Sequence, residues 1–339
     1  MIDLALTTHR ARTHLLQAHS QLDKEIRRKT TPITGCDAKN NHLLEELRRQ
    51  GINTIRLRLW VDPAGMHSSL TEVRRFAARL RTQGFDLWLA LHYSDTWAHP
   101  GQQAMPARWA DLPFDALQTE VAAYTGQVVE QLQPRYLQIG NELNTGFLHP
   151  VGVLPQNSNQ FSSLLSEAVE AAREAAPHAE IIMHYAGVAG ADWFYEQLST
   201  IDYDIIGLSY YPIWHGDDLS LLSEQLGELA LRYDKKVMIT ETAYPFTLAW
   251  ADETTNIVGL EEQLILPNYP ASAQGQAAFL TELKRRVQAV EGGIGLCYWG
   301  GERIAWKGPQ SQEGSDWENQ ALFDFEHKAL PALEALRVD

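Results

Sequence analysis

Between positions 32 and 299 the sequence repeats one alternation: a short apolar run, then a stretch with apolar residues at i, i+3 and i+4. Runs of the first kind suit strands buried on both faces, and the second kind suits amphipathic helices packed over them. The strand candidates are "PITGCD" (32–37), "TIRLRLW" (54–60), "FDLWLALHY" (85–93), "RYLQIGNE" (135–142), "EIIMHYA" (180–186), "YDIIGLSYY" (203–211), "KVMITET" (236–242) and "IGLCYW" (294–299). Between them lie helical stretches such as "LTEVRRFAARLRTQ", "SSLLSEAVEAAREAA" and "AAFLTELKRRVQAV". Eight strands with intervening helices is the order of a single (β/α)8 barrel, and no linker divides it. The expectation is therefore an α/β fold, one (β/α)8 TIM barrel over residues 31–339. Residues 1–30 are expected to be an N-terminal helical extension packed on it, with "DKEIRRK" a solvated face.

A chain of 339 residues, 45% hydrophobic, has enough apolar surface for a core of this size. Its net charge of -15 opposes nucleic acid or an anionic membrane as partner, since both would be repelled at long range. There is no apolar run of 18 residues, and the first 20 residues lack a basic segment followed by an apolar one and a cleavage site. The expected location is the cytoplasm for the chain as written, or a secreted or periplasmic one if the N-terminus has been processed. A monomer is expected. Cys36 and Cys297 are too few for a disulfide framework and lack metal-site spacing.

Long loops follow the third, fourth and seventh strand candidates, and loops of that length inside a compact domain are usually functional. They leave the C-terminal strand ends, where barrel active sites are built. Glu142 stands at such an end on the fourth strand and Glu241 at the matching place on the seventh. Carboxylates so placed are the pair that glycosidic hydrolysis uses as acid/base and nucleophile. Other strand ends supply Asp37, Arg56, Arg58, His92, Ser94, Asp95, Trp97, Asn141, Tyr210, Tyr211, Trp214, His215 and Trp299 as candidate substrate-binding groups. Arg56 and Arg58 share one strand face and would hold nearby carboxylates ionised. Aromatic faces beside hydroxyl-reading polar groups are what a sugar cleft needs.

The motifs "GINTIRLRLWVDP", "LALHYSDTWAHPGQQ", "LQIGNELNTGFLHPVG", "DIIGLSYYPIWHG", "VMITETAYPFT" and "ENQALFDF" run in order from position 51 to 325. On them the chain resembles the family 53 glycoside hydrolases, the endo-β-1,4-galactanases. The resemblance implies endo cleavage of β-1,4-galactan, the galactose side chains of pectin, with retained configuration. It implies that Glu142 is the acid/base and Glu241 the nucleophile. Asn141 is then expected to read the sugar 2-hydroxyl, and Arg56 with a tyrosine of the sixth strand to position Glu241. Three departures stand out: a short segment between "GCD" and "GIN", "FLHP" with His149 where the family has a stacking Trp, and "YWGGE" with Gly300 where many members have Glu.

The alternatives are a related barrel glycosidase acting on another β-linked polysaccharide such as mannan or xylan, or a non-catalytic carbohydrate-binding barrel. The latter would be expected to lose one Glu of the pair, and both are present. No cofactor is expected. No metal is expected either: some family members hold calcium after the seventh strand, but "LAWADETTNIVGLEEQ" lacks the alternating oxygen ligands of a calcium loop. The partner expected is a β-galactan oligosaccharide or polysaccharide.

Overall fold

The computed structural model describes residues 2–7 and 42–337. Along the chain its strands are β1 (Ile2–Thr7), β2 (Thr54–Leu59), β3 (Asp86–Leu91), β4 (Tyr136–Ile139), β5 (Gly146–Phe147), β6 (Gly152–Val153), β7 (Glu180–Ala186), β8 (Ile205–Ser209), β9 (Lys236–Thr242) and β10 (Gly293–Tyr298). The α-helices are α1 (His42–Arg49), α2 (Leu70–Thr82), α3 (Phe114–Leu132), α4 (Ser158–Ala175), α5 (Ala191–Gln197), α6 (Pro212–His215), α7 (Leu219–Tyr233), α8 (Ala273–Ala289) and α9 (Ala332–Ala335). Seven of the expected strands are therefore present as β2, β3, β4, β7, β8, β9 and β10. The expected strand at 32–37, with Cys36 and Asp37, lies outside the described residues, as do residues 8–30 of the expected N-terminal helical extension.

Residues 2–7 correct the expectation of a helical N-terminal extension: they form a strand paired antiparallel to β10, with Ala5 opposite Cys297. The cause is legible in "IDLALT", where Ile2, Leu4 and Leu6 recur with the two-residue period of a strand.

The described chain forms two compact units. One comprises Leu57–Ser209 and Gln225–Met238. In it β3, β4, β7 and β8 are consecutive parallel neighbours, with Leu91 opposite Ile139, Gln138 opposite Ile182 and His184 opposite Gly207. The end of β2 joins this sheet through His92 N donating to Leu59 O at 3.1 Å. Apart from Asp86 at its start, β3 is buried throughout, as a strand covered on both faces must be. Helix α2 starts at Ser69, whose hydroxyl accepts from Glu72 N at 3.2 Å, and it turns Val73, Phe76, Ala77 and Leu80 inward.

Among the described residues, the second unit comprises those up to Arg56, Tyr210–Glu224 and those from Ile239 onward. Here Trp299 N donates to Thr242 O at 2.8 Å, which ties the end of β10 to that of β9. Behind this junction the Tyr298 hydroxyl bonds Gln320 O at 2.6 Å and Tyr244 O at 3.0 Å, while Gln276 Nε2 reaches Tyr244 O at 2.8 Å. These buried polar groups fasten the loop after β9 to the segment near 320. Among the described residues no helix is long and apolar enough to cross a membrane.

Candidate active site

Glu142 follows β4 after Gly140 and Asn141, and its backbone lies in the left-handed region at φ 48°. A non-glycine residue there is strained by about 1–3 kcal/mol and persists only where its surroundings hold it. Several contacts do so. Gln103 Nε2 donates to Asn141 O at 2.8 Å and to Glu142 O at 3.0 Å. Asn141 Nδ2 donates to Ala98 O at 2.8 Å, and Ala98 N in turn donates to His92 Nδ1 at 3.1 Å. Gly140 is required because its φ is +77° and an added Cβ would come within 2.4 Å of Leu143 Cδ2. The Glu142 side chain is half-buried, and its Oε1 accepts a 2.6 Å bond from the Ser209 hydroxyl. Ser209 Oγ lies 2.8 Å from His184 Nε2.

The other candidates of this unit line the loop after β3. Arg58 stacks its guanidinium 3.7 Å from the centroid of Trp97 and 4.8 Å from that of Trp60, and its Nη2 bonds Ser68 Oγ at 3.1 Å. Trp97 also lies 6.2 Å from the ring of His92. Asp95 spends both carboxylate oxygens on backbone, accepting from Asp62 N, which follows β2, at 2.9 Å and from Ala107 N of its own loop at 2.8 Å. Ser94 is buried, and its carbonyl accepts from Val61 N at 2.9 Å.

In the second unit Glu241, on β9, is 6% exposed. Arg56 Nη2 donates to its Oε1 at 2.6 Å and the Tyr211 hydroxyl to its Oε2 at 3.0 Å. Both donors stabilise a negative charge on that carboxylate. Tyr210 approaches through its backbone, donating from N to Glu241 O at 2.8 Å, while its hydroxyl bonds Gly216 O at 2.7 Å. Burial pulls the His215 pKa down to about 4, so its Nδ1 stays a neutral acceptor for Tyr211 N at 3.0 Å. His215 thus holds the backbone of the tyrosine that holds Glu241.

Trp214 is 55% exposed, and beside it Trp317 packs against Tyr211, Trp214 and Trp299 at centroid distances of 5.8, 6.4 and 4.5 Å. Trp317 was not among the sequence candidates, although it immediately precedes "ENQALFDF". It also explains Gly300: with φ +69°, an added Cβ would lie 2.8 Å from Trp317 Cδ1. His184 and Ser209 were not among the sequence candidates either. The only signal for them was a polar residue inside each of two apolar strands.

Side-chain oxygens of the loop after β9 and of Glu318, far along the chain, come close together, which spacing alone did not show. Glu318 Oε1 accepts from Ala251 N at 2.6 Å, and burial with the nearby Asp252 charge raises the Glu318 pKa. Asp252 Oδ2 and Asn256 Oδ1 are buried without a hydrogen-bond partner among the described residues. Hard carboxylate and amide oxygens fit a divalent cation such as calcium. An ion held by Asp252, Asn256 and Glu318 would supply structural charge balance, joining two distant segments.

With this geometry in place, likeness to known proteins decides the family. The model of glycosyl hydrolase family 53 matches residues 26–336. The chain belongs to that family. An arabinogalactan endo-β-1,4-galactanase of Cellvibrio japonicus is 34% identical over 313 residues, covering 86% of this chain and 82% of that protein. A family 53 catalytic domain from Ignisphaera aggregans is 32% identical and covers 96% of this chain and 98% of its own, with a TM-score of 0.82. A structure of fungal β-1,4-galactanases is 28% identical and covers 96% of this chain and 99% of its own, with a TM-score of 0.78. The family 53 protein is a glycoside hydrolase with the (β/α)8 TIM-barrel fold. The half-buried His149 ring lies 2.8 Å, through Nε2, from Thr145 O of its own loop.

Proposed function

We propose that this family 53 enzyme is a retaining endo-β-1,4-galactanase that cleaves internal linkages of β-1,4-galactan, including the galactan of pectin side chains. The observation that carries the reading is the buried Glu241 carboxylate held by two donors, Arg56 and Tyr211. Support for the substrate comes from relatives named as galactanases.

In this reading the Glu241 carboxylate attacks the anomeric carbon and forms a glycosyl ester as the glycosidic C–O bond breaks. Glu142 gives its proton to the departing oxygen in the same step. Glu142, now a carboxylate, then takes a proton from water, whose oxygen displaces Glu241 from the anomeric carbon. Both residues return to their starting states, and two inversions leave the configuration retained. Asn141 is the residue expected to read the 2-hydroxyl, while Trp97, Trp214 and Trp299 offer ring faces for sugar C–H surfaces.

The test is reducing-sugar release from galactan, mannan and xylan in parallel, with the first-formed anomer followed by proton NMR. The expected result is release from galactan with a β-anomer appearing first. Preferred release from mannan or xylan would overturn the substrate, and a first-formed α-anomer would overturn retention.

A further inference from the structure

Polar side chains buried inside a sheet require a reason, and three of them cross β4, β7 and β8 in a diagonal line. Gln138 pairs with Ile182, so His184 lies two residues further along β7; His184 pairs with Gly207, so Ser209 lies two further along β8. The two-residue period keeps Gln138, His184 and Ser209 on one face of the sheet, and each is fully buried. The line ends on Glu142 Oε1.

The hydrogens of this chain can be assigned from its unambiguous donors. Glu142 N, which only donates, lies 3.3 Å from His184 Nδ1. Gln138 Nε2 is fixed as the amide nitrogen by its 2.8 Å bond to Gly140 O, and it lies 3.0 Å from the same Nδ1. Asn141 Oδ1 is 3.1 Å from Nδ1 and 2.9 Å from Gln138 Nε2, so one amide hydrogen is shared across that triangle. Two donors thus face Nδ1, which makes it an acceptor and puts the imidazole proton on Nε2. Nε2–H then donates to Ser209 Oγ at 2.8 Å, leaving the Ser209 hydrogen for Glu142 Oε1 at 2.6 Å.

We infer that His184, held as the neutral Nε2–H tautomer, is a positioning residue that aims the Ser209 hydroxyl at Glu142 Oε1 and so assigns the acid proton of Glu142 to Oε2. The inference rests on the reading of Glu142 as the acid/base. Ser209 favours the carbonyl form of Oε1 while Glu142 is protonated, and its bond strengthens when the proton leaves Oε2 and the carboxylate forms. A reverse tautomer would present Ser209 with a lone pair and release its hydrogen from Glu142. The backbone N–H of Glu142 itself sets the tautomer, so the strained turn that carries the acid also orders the chain that aims it.

The experiment compares kcat/KM, which reports the first step, for galactan and for a dinitrophenyl β-galactobioside whose leaving group needs little protonation. Ser209→Ala should lose about 10- to 100-fold on galactan, the size of one hydrogen bond to a charged group, yet stay within about threefold on the activated substrate. Loss of a merely structural contact would lower both alike, and that result overturns the inference. Glu142→Ala is run beside it. A split in Glu142→Ala without one in Ser209→Ala overturns this inference alone, whereas no split in Glu142→Ala overturns the acid/base reading and this inference with it. Independently of activity, nitrogen NMR of the histidine-labelled wild-type enzyme should show His184 as the Nε2–H tautomer, its signal assigned among 12 histidines by its loss in His184→Gln. An Nδ1–H pattern would overturn the assignment.

Discussion

The two carboxylates are held by opposite means. Glu241 is nearly fully buried and meets a guanidinium at 2.6 Å and a phenol at 3.0 Å, on a regular strand. Glu142 is half-buried, sits on a left-handed turn and meets a neutral serine backed by a histidine. A charge partner stabilises only the ionised form, whereas a neutral hydroxyl tolerates both protonation states. On the proposed mechanism, two residues of one type are thereby given different work: Glu241 that of a nucleophile, Glu142 that of a proton donor and acceptor.

The largest effect should come from removing Glu241, the proposed nucleophile. Glu241→Ala should lower kcat on galactan by at least about 10⁴-fold, since no covalent intermediate can form. A residual rate within tenfold of wild type would break the contrast. Next is Arg56→Ala, which leaves a buried carboxylate without its cation and should cost about 3–5 kcal/mol of stability in chemical denaturation. Arg56→Lys should restore part of that, because a point charge keeps the attraction without the planar geometry. If Arg56→Ala melts like wild type, the account of how Glu241 is held fails.

His215 sharpens the comparison through pH. Its folded pKa of about 4 lies below the ordinary value of 6.5, so between these limits the unfolded chain binds the proton and the folded one does not. Stability from this site is therefore complete above about pH 6.5 and declines as pH falls toward 4. His215→Asn, which keeps an acceptor for Tyr211 N, should flatten that part of the Tm-versus-pH curve. An unchanged slope would show that other groups produce it. The smallest of these effects is expected at Tyr211→Phe, which removes one hydrogen bond to a charged group and should lower kcat about 10-fold or somewhat more, with little change in KM. A rise in KM with unchanged kcat would place Tyr211 with the substrate and not with Glu241.

How much of this was readable beforehand depends on what kind of signal each element leaves. Strands β7 and β9 end at the residues expected, because their buried runs are bounded by turn residues. Strand β4 ends three residues early, at Ile139, because Gly140 turns with a positive φ and the Gln138 side chain takes its carbonyl. Glu142 and Glu241 were visible as charges at strand ends. His184 and Ser209 were not, since their importance lies in the parallel register of three strands, which no local pattern encodes. Trp317 was missed for a similar reason: it stands in an irregular segment and gains its place by packing on Trp299, Trp214 and Tyr211.

The division of work between the carboxylates is tested most directly by azide rescue on an activated β-galactobioside, with the product configuration read by NMR. In Glu142→Ala the intermediate still forms on Glu241, so azide should take the place of water and give a β-galactosyl azide. In Glu241→Ala azide should attack the substrate directly and give the α-product. The reverse pairing, with α from Glu142→Ala and β from Glu241→Ala, would contradict the account and exchange the two roles.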